Sequence, residues 1–373
     1  MKFSIEKNVL LDCLKNINSL IDGNNINPSL SAVHIKSTGD KLIFIATNGE
    51  NSYQQTIDGA QIKEGGDILV KARLLYNYVS KIDQKEININ QIDEKILQIS
   101  TPKYTSEINL MDSSSYPIIN DFDFENMKKI TISYNDLLSI QQRVKPFVST
   151  SYTNTNPSIG GILFNPIDEK QIECVASDSF RMAYYKFNYT GDAIKFIIEP
   201  KAIDMAIEIL TNNKNKSLDL FLSEKKCILK IENTLIQFSL FDKNIYPNII
   251  NAILSQPKNS FTIKLDDLSN SLNRGSVFVS NEQRPTANFK IQNKKLTIKF
   301  LSSDIGNSFE EIDLIDSTVD EFEVKLNEKL LLSLLNTIKS ENITFHFNNA
   351  NSPIIISSEN KSFLNLITPL RSL

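Results

Sequence analysis

The sequence predicts an α+β protein built from three copies of one domain. Two strand-like phrases, each running into a helix-like stretch, carry this prediction because each occurs three times at a nearly constant spacing. Phe3, Ile130 and Phe261 mark the first phrase, with spacings of 127 and 131 residues. A repeat of this length has the size of a whole domain and is too long for a solenoid unit.

The second phrase divides each copy into two halves. Ile68, Phe196 and Phe322 mark it, with spacings of 128 and 126 residues. Each phrase alternates apolar and polar residues, as a half-buried strand does. The apolar residues that follow recur every three or four positions, as on one face of a helix. We therefore expect two strand–helix halves in every domain.

The remaining elements follow the same patterns along the chain. Helices are predicted over residues 6–21, 71–82, 134–148, 200–214, 264–275 and 325–339. Further alternating segments predict strands at 42–46, 96–99, 227–231 and 296–300. Two helices packed on a mostly antiparallel sheet in each domain define the α+β class.

Domain boundaries are predicted where the apolar pattern lapses. Residues 113–117, followed by the acidic segment 121–125, end the first copy, and residues 246–259 end the second. Both segments contain a Tyr-Pro pair, and Pro117 and Pro247 are 130 residues apart. The predicted domains are residues 1–122, 123–254 and 255–373.

Composition favours a globular protein that does not enter a membrane. Hydrophobic residues make up 41% of the chain and charged residues 23%, which are ordinary values. The sequence has no run of about 18 apolar residues that would predict a membrane span. Residues 1–4 lead into the first strand without the apolar core of a secretory signal. The expected location is the cytoplasm.

The residues that most enzymes use are sparse. Cys13, Cys174 and Cys227 form no Cys-x-x-Cys pair, so neither a disulfide framework nor a zinc site is predicted, and the first two are expected to be buried. His34 and His346 are expected to point from strand faces rather than to act as bases. Dinucleotide, P-loop and hydrolase-elbow motifs are missing from the sequence. We predict no catalytic residue, no metal site and no cofactor, although a carboxylate pair in an unfamiliar setting stays open.

Charge is distributed unevenly between the predicted helices and the rest of the chain. The six helices carry a summed net charge of +6, whereas the whole chain carries −4. If the helices converge on one surface, that surface favours a polyanion, and duplex fits better than single strands because aromatic residues are not interleaved with the cations. The alternative is that each cation simply lies on a solvated helix face. The predicted DNA-facing residues are Lys71, Arg73, Lys81, Arg143, Lys145, Lys201, Arg274, Lys325, Lys329 and Lys339.

Four segments together resemble one protein family. Residues 172–183, Ile-Glu-Cys-Val-Ala-Ser-Asp-Ser-Phe-Arg-Met-Ala, are similar to a signature (v-A-T-D-G-H-R-L-A) in the middle domain of the bacterial sliding clamps, the beta subunits of DNA polymerase III. The opening residues 1–5, the segment 278–282 and the ending 367–371 match the same family in order. The resemblance covers the whole chain, with three domains in register.

The resemblance implies a DNA-clamp fold and a non-catalytic function. Clamps of this family are homodimers closed head to tail into a ring of six similar domains, with helices lining the hole. The ring would encircle duplex DNA without reading its sequence and would act as the processivity factor of the replicative DNA polymerase. The expected dimer-interface residues are Ile108, Leu110, Phe278 and Val279, and internal core stays open as the alternative for each.

The family also implies a pocket between the second and third domains that binds short peptides of the form Q-L-x-L-F. The peptides belong to the replicative polymerase, the clamp loader and other clamp-motif proteins. We expect an apolar groove for the Leu and Phe anchors. Its residues would be Ile159, Ser177, Ser179, Phe180, Arg181, Met182, Pro247, Leu366, Thr368, Pro369, Leu370 and Arg371. For Arg181, a structural ion pair behind the pocket is the alternative.

This chain departs from the family pattern at the pocket. Ser177 and Ser179 stand where the signature has Thr and Gly, and Phe180 stands where it has His. Ser372 is inserted before the terminal Leu373. These changes leave the shape of the pocket and its peptide preference open.

Two other functions stay open at this point. One is a repeat scaffold unrelated to replication, which would neither close a ring nor bind the clamp peptide. The other is an enzyme with an unrecognised carboxylate pair, which would lose a specific turnover in an Asp178→Asn variant. In the family the Asp of the signature is structural, and we expect it to hold the turn before Arg181.

Overall fold

A computed structural model describes residues 1–21, 27–117, 122, 124–150, 157–211, 217–243 and 250–370. The chain divides into two compact units. Unit 1 contains residues 1–134 and 204–240, and unit 2 contains residues 135–203 and 241–373. The middle third of the chain thus contributes to both units, and the domain boundaries expected at 122 and 254 stay predictions.

The helices follow the predicted order. They are α1 (Lys7–Leu20), α2 (Ala72–Lys81), α3 (Tyr134–Ser139), α4 (Pro200–Leu210), α5 (Ile250–Ile253), α6 (Leu265–Val279) and α7 (Glu328–Leu335). A π-helical turn (Ile140–Val144) follows α3, and single 3-10 turns lie at Pro28–Ser31, Ser113–Ser115, Lys145–Phe147 and Pro157–Gly160.

Each third of the chain contributes nine strands among the described residues. The first third forms β1 (Lys2–Glu6), β2 (Ala32–Thr38), β3 (Lys41–Thr47), β4 (Ser52–Ile57), β5 (Gln61–Glu64), β6 (Asp67–Lys71), β7 (Glu86–Gln91), β8 (Ile96–Ser100) and β9 (Thr105–Asn109). The second forms β10 (Lys128–Ser133), β11 (Ile162–Pro166), β12 (Gln171–Ser177), β13 (Arg181–Asn188), β14 (Thr190–Gly191), β15 (Phe196–Ile198), β16 (Ser217–Leu222), β17 (Lys226–Ile231) and β18 (Thr234–Ser239). The third forms β19 (Asn259–Lys264), β20 (Thr286–Gln292), β21 (Lys295–Ser302), β22 (Gly306–Asp313), β23 (Asp316–Ser317), β24 (Glu321–Asn327), β25 (Asn342–Phe347), β26 (Ile354–Ser358) and β27 (Phe363–Ile367).

The strands form four antiparallel sheets, two in each unit. In unit 1, sheet A has the order β5-β1-β7-β8-β9, and sheet B runs through β10, β16, β17, β18, β4, β3, β2 and β6. In unit 2, sheet C has the order β15-β11-β12-β13-β27-β26-β25-β19-β23, and sheet D has the order β22-β21-β20-β24. Sheets B and C each join strands of two consecutive repeats, because β18 pairs with β4 and β13 pairs with β27.

The three-fold repeat and the α+β class are confirmed. All six predicted strand phrases are strands, and the strands predicted at 42–46, 96–99, 227–231 and 296–300 are present. Apolar residues of each helix, such as Leu10, Leu14 and Ile17 of α1, are fully buried. The helices therefore cover one face of the sheets, as the three- and four-residue periodicity predicts.

Four helix predictions need correction. The helix predicted over 200–214 ends at Leu210. The helix predicted over 325–339 begins at Glu328, because Lys325 belongs to β24 and the Asn327 side chain caps the helix by accepting from the Leu330 amide at 3.0 Å. It ends at Leu335, four residues before the predicted end. The helix predicted to end at 275 continues to Val279. The helix predicted over 134–148 is α-helical from Tyr134 to Ser139 and continues as a π-helical turn (Ile140–Val144) and a 3-10 turn (Lys145–Phe147), in which Pro146 lacks the amide hydrogen that an α-helix would use.

Gly275 explains why α6 passes the position where we expected its end. A Cβ atom on Gly275 would lie 2.0 Å from the ring of Phe300 in β21. The glycine therefore allows a close approach of the helix to sheet D and does not end the helix.

The cysteines and histidines occupy the expected places. All three cysteines are fully buried, and burial raises the pKa of each thiol. His34 and His346 lie on strands, and their Nε2 atoms make hydrogen bonds of 2.9 Å with Asp67 and 2.8 Å with Ser357. None of the helices in the described part of the chain combines the length and apolar composition needed to cross a membrane.

Candidate functional site

The signature residues form a tight turn between β12 and β13, which we call the 177–182 turn. The Ser177 hydroxyl donates to the carbonyl of Arg181 at 2.8 Å. The Asp178 carboxylate accepts from the amides of Phe180 and Arg181 at 3.0 and 2.7 Å. Ser179 has a φ of 76°, a left-handed conformation that favours glycine. The turn is therefore held by its own side chains.

Arg181 is buried, with 8% of the residue exposed, and its side chain joins the 177–182 turn to α7. Its Nε and Nη2 donate to one oxygen of Asp178 at 3.0 and 2.8 Å, and its Nη1 donates to the Leu330 carbonyl at 3.3 Å. The guanidinium carbon lies 5.1 Å from the centre of the Phe147 ring. These contacts favour the alternative stated for Arg181, an ion pair behind the site.

The C-terminal segment lies against the same turn. Thr368 donates to the carbonyl of Phe180 twice, from its amide at 2.9 Å and from its hydroxyl at 3.1 Å. Two residues later, the Leu370 amide donates to the carbonyl of Lys325 in β24, at 2.8 Å. Residues 368–370 thus run from the 177–182 turn to the edge of sheet D.

An apolar cluster lies beneath the turn and the C-terminal segment. Met182 and Leu366 occupy paired positions of β13 and β27, and both belong to the cluster. Its other buried members are Leu163, Val175, Tyr184, Ile197, Ile253 and Ile355, and the partly exposed Phe241, Ile250 and Leu364 pack against them. The half-exposed residues form an apolar surface next to the turn.

The structure brings most of the predicted pocket residues together. Ser177, Ser179, Phe180, Arg181, Met182, Leu366, Thr368, Pro369 and Leu370 belong to the turn, the paired strands or the C-terminal segment. Ile159 is half-buried in a 3-10 turn, and its carbonyl accepts from the Ser149 amide. Pro247 and Arg371 lie outside the described residues.

Sequence reasoning missed Phe241, Ile250 and Leu364 at the edge of the cluster. Leu364 could have been found, because it lies two residues before Leu366 on the same strand and therefore on the same face. Phe241 and Ile250 lie in irregular or short elements, where no periodicity marks the buried side.

The predicted DNA-facing residues are divided between the units. Lys71, Arg73 and Lys81 are exposed on or next to α2 in unit 1. The other seven lie in unit 2, where Arg274, Lys325, Lys329 and Lys339 are exposed and Arg143, Lys145 and Lys201 are half-buried. The two units thus each carry part of the predicted basic surface.

Several of these cations already have protein partners. Arg274 donates to both oxygens of Glu310 at 3.0 and 2.6 Å, which raises the pKa of Arg274 and lowers that of Glu310. The Arg143 guanidinium lies 4.2 Å from the centre of the Phe363 ring, and burial lowers its pKa. Lys329 and Lys339 donate to the Ser280 carbonyl and the Gln142 side chain.

The predicted dimer-interface residues lie at or near two sheet edges. Ile108 and Leu110 lie on and just after β9, the last strand of sheet A, and are buried and half-buried respectively. Phe278 is half-buried at the end of α6, whereas Val279 is 1% exposed and packs inside its own unit. For Val279, internal core was the alternative.

Two exposed apolar residues near these edges were not foreseen. Val277 is 64% exposed on α6, and Phe309 is 62% exposed on β22, the last strand of sheet D. The exposure of Phe309 depends on which strand ends the sheet, and the repeat pattern does not contain that information. The His, Cys, Asp and Glu residues in the described ranges form no group of three that could hold a metal ion.

Comparison with protein families gives a match across the whole chain. The family models match as DNA polymerase III beta subunit: its N-terminal domain over residues 1–120, its central domain over 131–248 and its C-terminal domain over 252–371. All three repeats are therefore covered by consecutive domains of one family.

Individual relatives agree with this match. The beta sliding clamp of Mycoplasma pneumoniae is 25% identical over 372 residues, covering 97% of each chain. The solved DNA polymerase III beta chain of Streptococcus pneumoniae has a TM-score of 0.92 at 24% identity, covering 100% of both chains. A solved beta sliding clamp of Caulobacter crescentus has a TM-score of 0.90 at 21% identity over 100% of both chains.

Proposed function

The chain belongs to the DNA polymerase III beta-subunit family and is a DNA sliding clamp, and we propose that it acts as a closed dimeric ring with one peptide site per subunit. The family match over all three repeats is the observation that carries the clamp function. A scaffold unrelated to replication is not favoured, because such a protein would have no reason to match three consecutive clamp domains.

A clamp contributes to replication without a chemical step of its own. Retention on DNA is topological, so the ring needs neither base contacts nor a high affinity for phosphate. Weak, salt-sensitive contacts from the ten predicted cations would let the ring slide. Asp178 supports this view, since its carboxylate is engaged by the turn amides and by Arg181.

The peptide site is proposed at the apolar surface beside the 177–182 turn. The attachment of Thr368 to the turn and of Leu370 to β24 supports this location, because it places the C-terminal segment along one side of the apolar cluster. Leu and Phe side chains of a Q-L-x-L-F segment would bury apolar area there. The polymerase, the clamp loader and other clamp-motif proteins would exchange at this site.

Ring closure is proposed through the open edges of sheets A and D. Sheets B and C already run across two repeats, whereas β9 and β22 are terminal strands within the described residues. An unpaired strand edge favours pairing with another chain, and β22 also carries the exposed Phe309. Head-to-tail pairing of β9 with the partner's β22 would close a ring of six domains, with boundaries near 122 and 254.

The peptide site is tested by fluorescence anisotropy of a labelled Q-L-x-L-F peptide against the full chain. A variant ending at Ile367 keeps β27 but lacks the segment attached to Phe180 and Lys325. We expect micromolar binding, about −8 kcal/mol, for the full chain and at least about tenfold weaker binding for the variant. Ile92→Ala, an exposed substitution in unit 1, should bind as the full chain does. Equal binding by the shortened chain would refute the proposed location.

Ring closure is tested by sedimentation of the full chain and of edge variants. The full chain should sediment as a dimer of the 42.3 kDa subunit, and Val277→Asp or Phe309→Asp should shift it toward monomer. Ile167→Asp changes a similarly exposed apolar residue elsewhere in unit 2 and should leave the dimer intact. A full chain that remains monomeric at micromolar concentration contradicts the ring.

A further inference from the structure

Unit 1 contains a second copy of the signature turn, between β3 and β4. In this 47–52 turn the Thr47 hydroxyl donates to the carbonyl of Asn51 at 2.8 Å. The Ser177 hydroxyl makes the same bond to Arg181 at the same distance. The two hydroxyls therefore close the two turns in the same way.

The remaining bonds of the two turns also correspond. The side-chain oxygen of Asn48 accepts from the amides two and three residues on, at 3.0 and 2.8 Å, and that of Asp178 does so at 3.0 and 2.7 Å. The next residue is left-handed in both turns, with a φ of 96° at Gly49 and 76° at Ser179. One backbone frame thus occurs twice in this chain.

The residue after the left-handed position differs between the two turns. It is Glu50 in unit 1, exposed to solvent, and Phe180 in unit 2, which is 60% exposed. Because the frame forms equally well with Glu50, the turn does not require an aromatic side chain at this position. An exposed phenylalanine leaves apolar surface in water that a bound partner could bury.

The backbone of Phe180 is held in place at the edge of the apolar surface. Its carbonyl accepts both bonds from Thr368, two residues after Leu366, and its own chain continues into Met182. Met182 and Leu366 are a paired position of the apolar cluster. The ring therefore lies at the end of the strand pair that carries the proposed peptide site.

We infer that Phe180 is a specificity-determining residue of this site, which selects peptides with an aromatic or large aliphatic side chain at the position that contacts its ring. The inference rests on the proposed peptide site. An aromatic ring can pair edge-to-face or offset with another ring and excludes water from an apolar contact. It offers no hydrogen bond to a polar side chain at that position, so peptides that are polar there bind less tightly.

A double-mutant cycle tests the inference. Peptides Q-L-x-L-F and Q-L-x-L-A are measured by anisotropy against the full chain and against Phe180→Ala, Phe180→Leu and Phe180→Glu. Phe180→Glu installs the residue that the same turn carries in unit 1, so its backbone should be undisturbed. Glu50→Ala serves as the control, and circular dichroism verifies the fold of every variant.

The expected result is coupling between the two rings. Phe180→Ala and Phe180→Glu should weaken the Phe peptide about tenfold and the Ala peptide less than about twofold, while Phe180→Leu retains most of the affinity. If the full chain binds the Phe peptide and Phe180→Ala weakens both peptides equally or neither, the inference is wrong and the peptide site stands. If the folded full chain binds neither peptide, the peptide site and this inference fail together.

Discussion

The 47–52 turn and the 177–182 turn share one hydrogen-bond frame, yet the sheet faces next to them differ in polarity. In the second repeat, Met182 of β13 pairs with Leu366 of β27. In the first repeat, the corresponding pair is Ser52 of β4 and Gln237 of β18. An apolar pair in one sheet thus takes the place of a polar pair in the other.

The same replacement extends across the neighbouring strands. Val175 is paired with Leu163 on one side and Tyr184 on the other, and all three belong to the apolar cluster. In the first repeat, Ile45 stands in the place of Val175. It pairs with His34 on one side and with Gln54 on the other, where the second repeat has Leu163 and Tyr184. Ile45 and Met111 pack against a small apolar cluster of Ala32, Leu69 and Tyr116. Near them, a cavity of about 870 Å3 is lined by acidic residues such as Asp67 and Asp112 and by apolar residues such as Leu69 and Met111. The apolar cluster of the first repeat is therefore smaller than that of the second, and it borders a cleft of mixed polarity.

The comparison shows that the turn occurs in both repeats, whereas the apolar residues of the proposed binding site occur only beside the 177–182 turn. Side-chain bonds from Thr or Ser and from Asn or Asp suffice to build the turn, so both copies fold alike. The proposed capacity to bury Leu and Phe anchors would depend on four apolar residues of the adjoining strands, which are Leu163, Met182, Tyr184 and Leu366; polar residues take their places in the first repeat. The predictions below separate these two contributions, beginning with the largest expected effect.

The largest difference between the turns should appear when Arg181 and its counterpart Asn51 are each replaced by alanine and the losses of unfolding free energy are compared. Arg181→Ala leaves the Asp178 carboxylate, 16% exposed, without its ion pair and removes the bond to Leu330. We expect a loss of about 3 kcal/mol in unfolding free energy, measured by urea denaturation with circular dichroism. Asn51→Ala, whose counterpart bond joins its side-chain oxygen to the Ser239 amide at 3.0 Å, should cost about 1 kcal/mol. Equal losses would contradict this prediction, because they would mean that the two side chains contribute equally to the unfolding free energy.

The left-handed position should respond in opposite directions in the two turns. Ser179→Gly relieves a serine held at a φ of 76° and should stabilise the protein by about 1 kcal/mol. Gly49→Ser imposes the same conflict at a φ of 96° and should destabilise it by a similar amount. Melting temperatures of both variants measure this. A destabilised Ser179→Gly variant would mean that the serine side chain contributes more than its backbone costs.

The attachment of the C-terminal segment should contribute less to stability than to binding. Thr368→Val removes the hydroxyl bond to the Phe180 carbonyl and keeps the amide bond, so we expect a loss of about 0.5 kcal/mol in unfolding free energy. Thr368→Ser retains the hydroxyl and should match the natural protein. Isothermal titration with the Q-L-x-L-F peptide should show weaker binding for the valine variant only. Unchanged binding by both would separate Thr368 from the site.

The smallest expected effect concerns His34, which stands in the first repeat where the second has Leu163. Burial lowers the pKa of His34 below 6.5, and the bond to Asp67 partly opposes this shift. As the pH is lowered from 7 to 5, His34 in the unfolded chain takes up a proton more readily than His34 in the folded protein. The free energy of unfolding therefore decreases as the pH is lowered. His34→Leu should make this fall shallower, while His346, whose pKa is also lowered, keeps the remainder. An unchanged slope in urea unfolding at several pH values would contradict the assignment.

Much of the fold could be predicted because the repeat displays each element three times. Phe3, Ile130 and Phe261 begin strands, and the helices that follow bury the periodic apolar residues. Lys325 was misplaced on a helix, because the register of β24 with β20 extends the strand to Asn327 and local periodicity does not record that pairing.

The candidate site was predictable only as far as the signature reached. Residues 177–182 were found through their motif, and the paired strand brought Leu366 and Thr368 beside them. The 47–52 turn was missed, because it has Glu50 and Asn51 where the signature of the second repeat has Phe180 and Arg181. The hydrogen bonds of the two turns are nevertheless the same. Val277 on α6 and Phe309 on the edge strand β22 were missed, because exposure depends on how the elements pack and not on local periodicity.

Photo-crosslinking with a Q-L-x-L-F peptide that carries a benzophenone at x, followed by mass spectrometry of the digested full chain, tests the central claim most directly. The account predicts crosslinks to residues 177–182 and 364–370 that unlabelled Q-L-x-L-F competes away, and no competed crosslink to residues 47–52. Competed crosslinks at the first turn, or at both turns equally, would contradict the claim that the apolar face of the second repeat, and not the shared turn, makes the binding site.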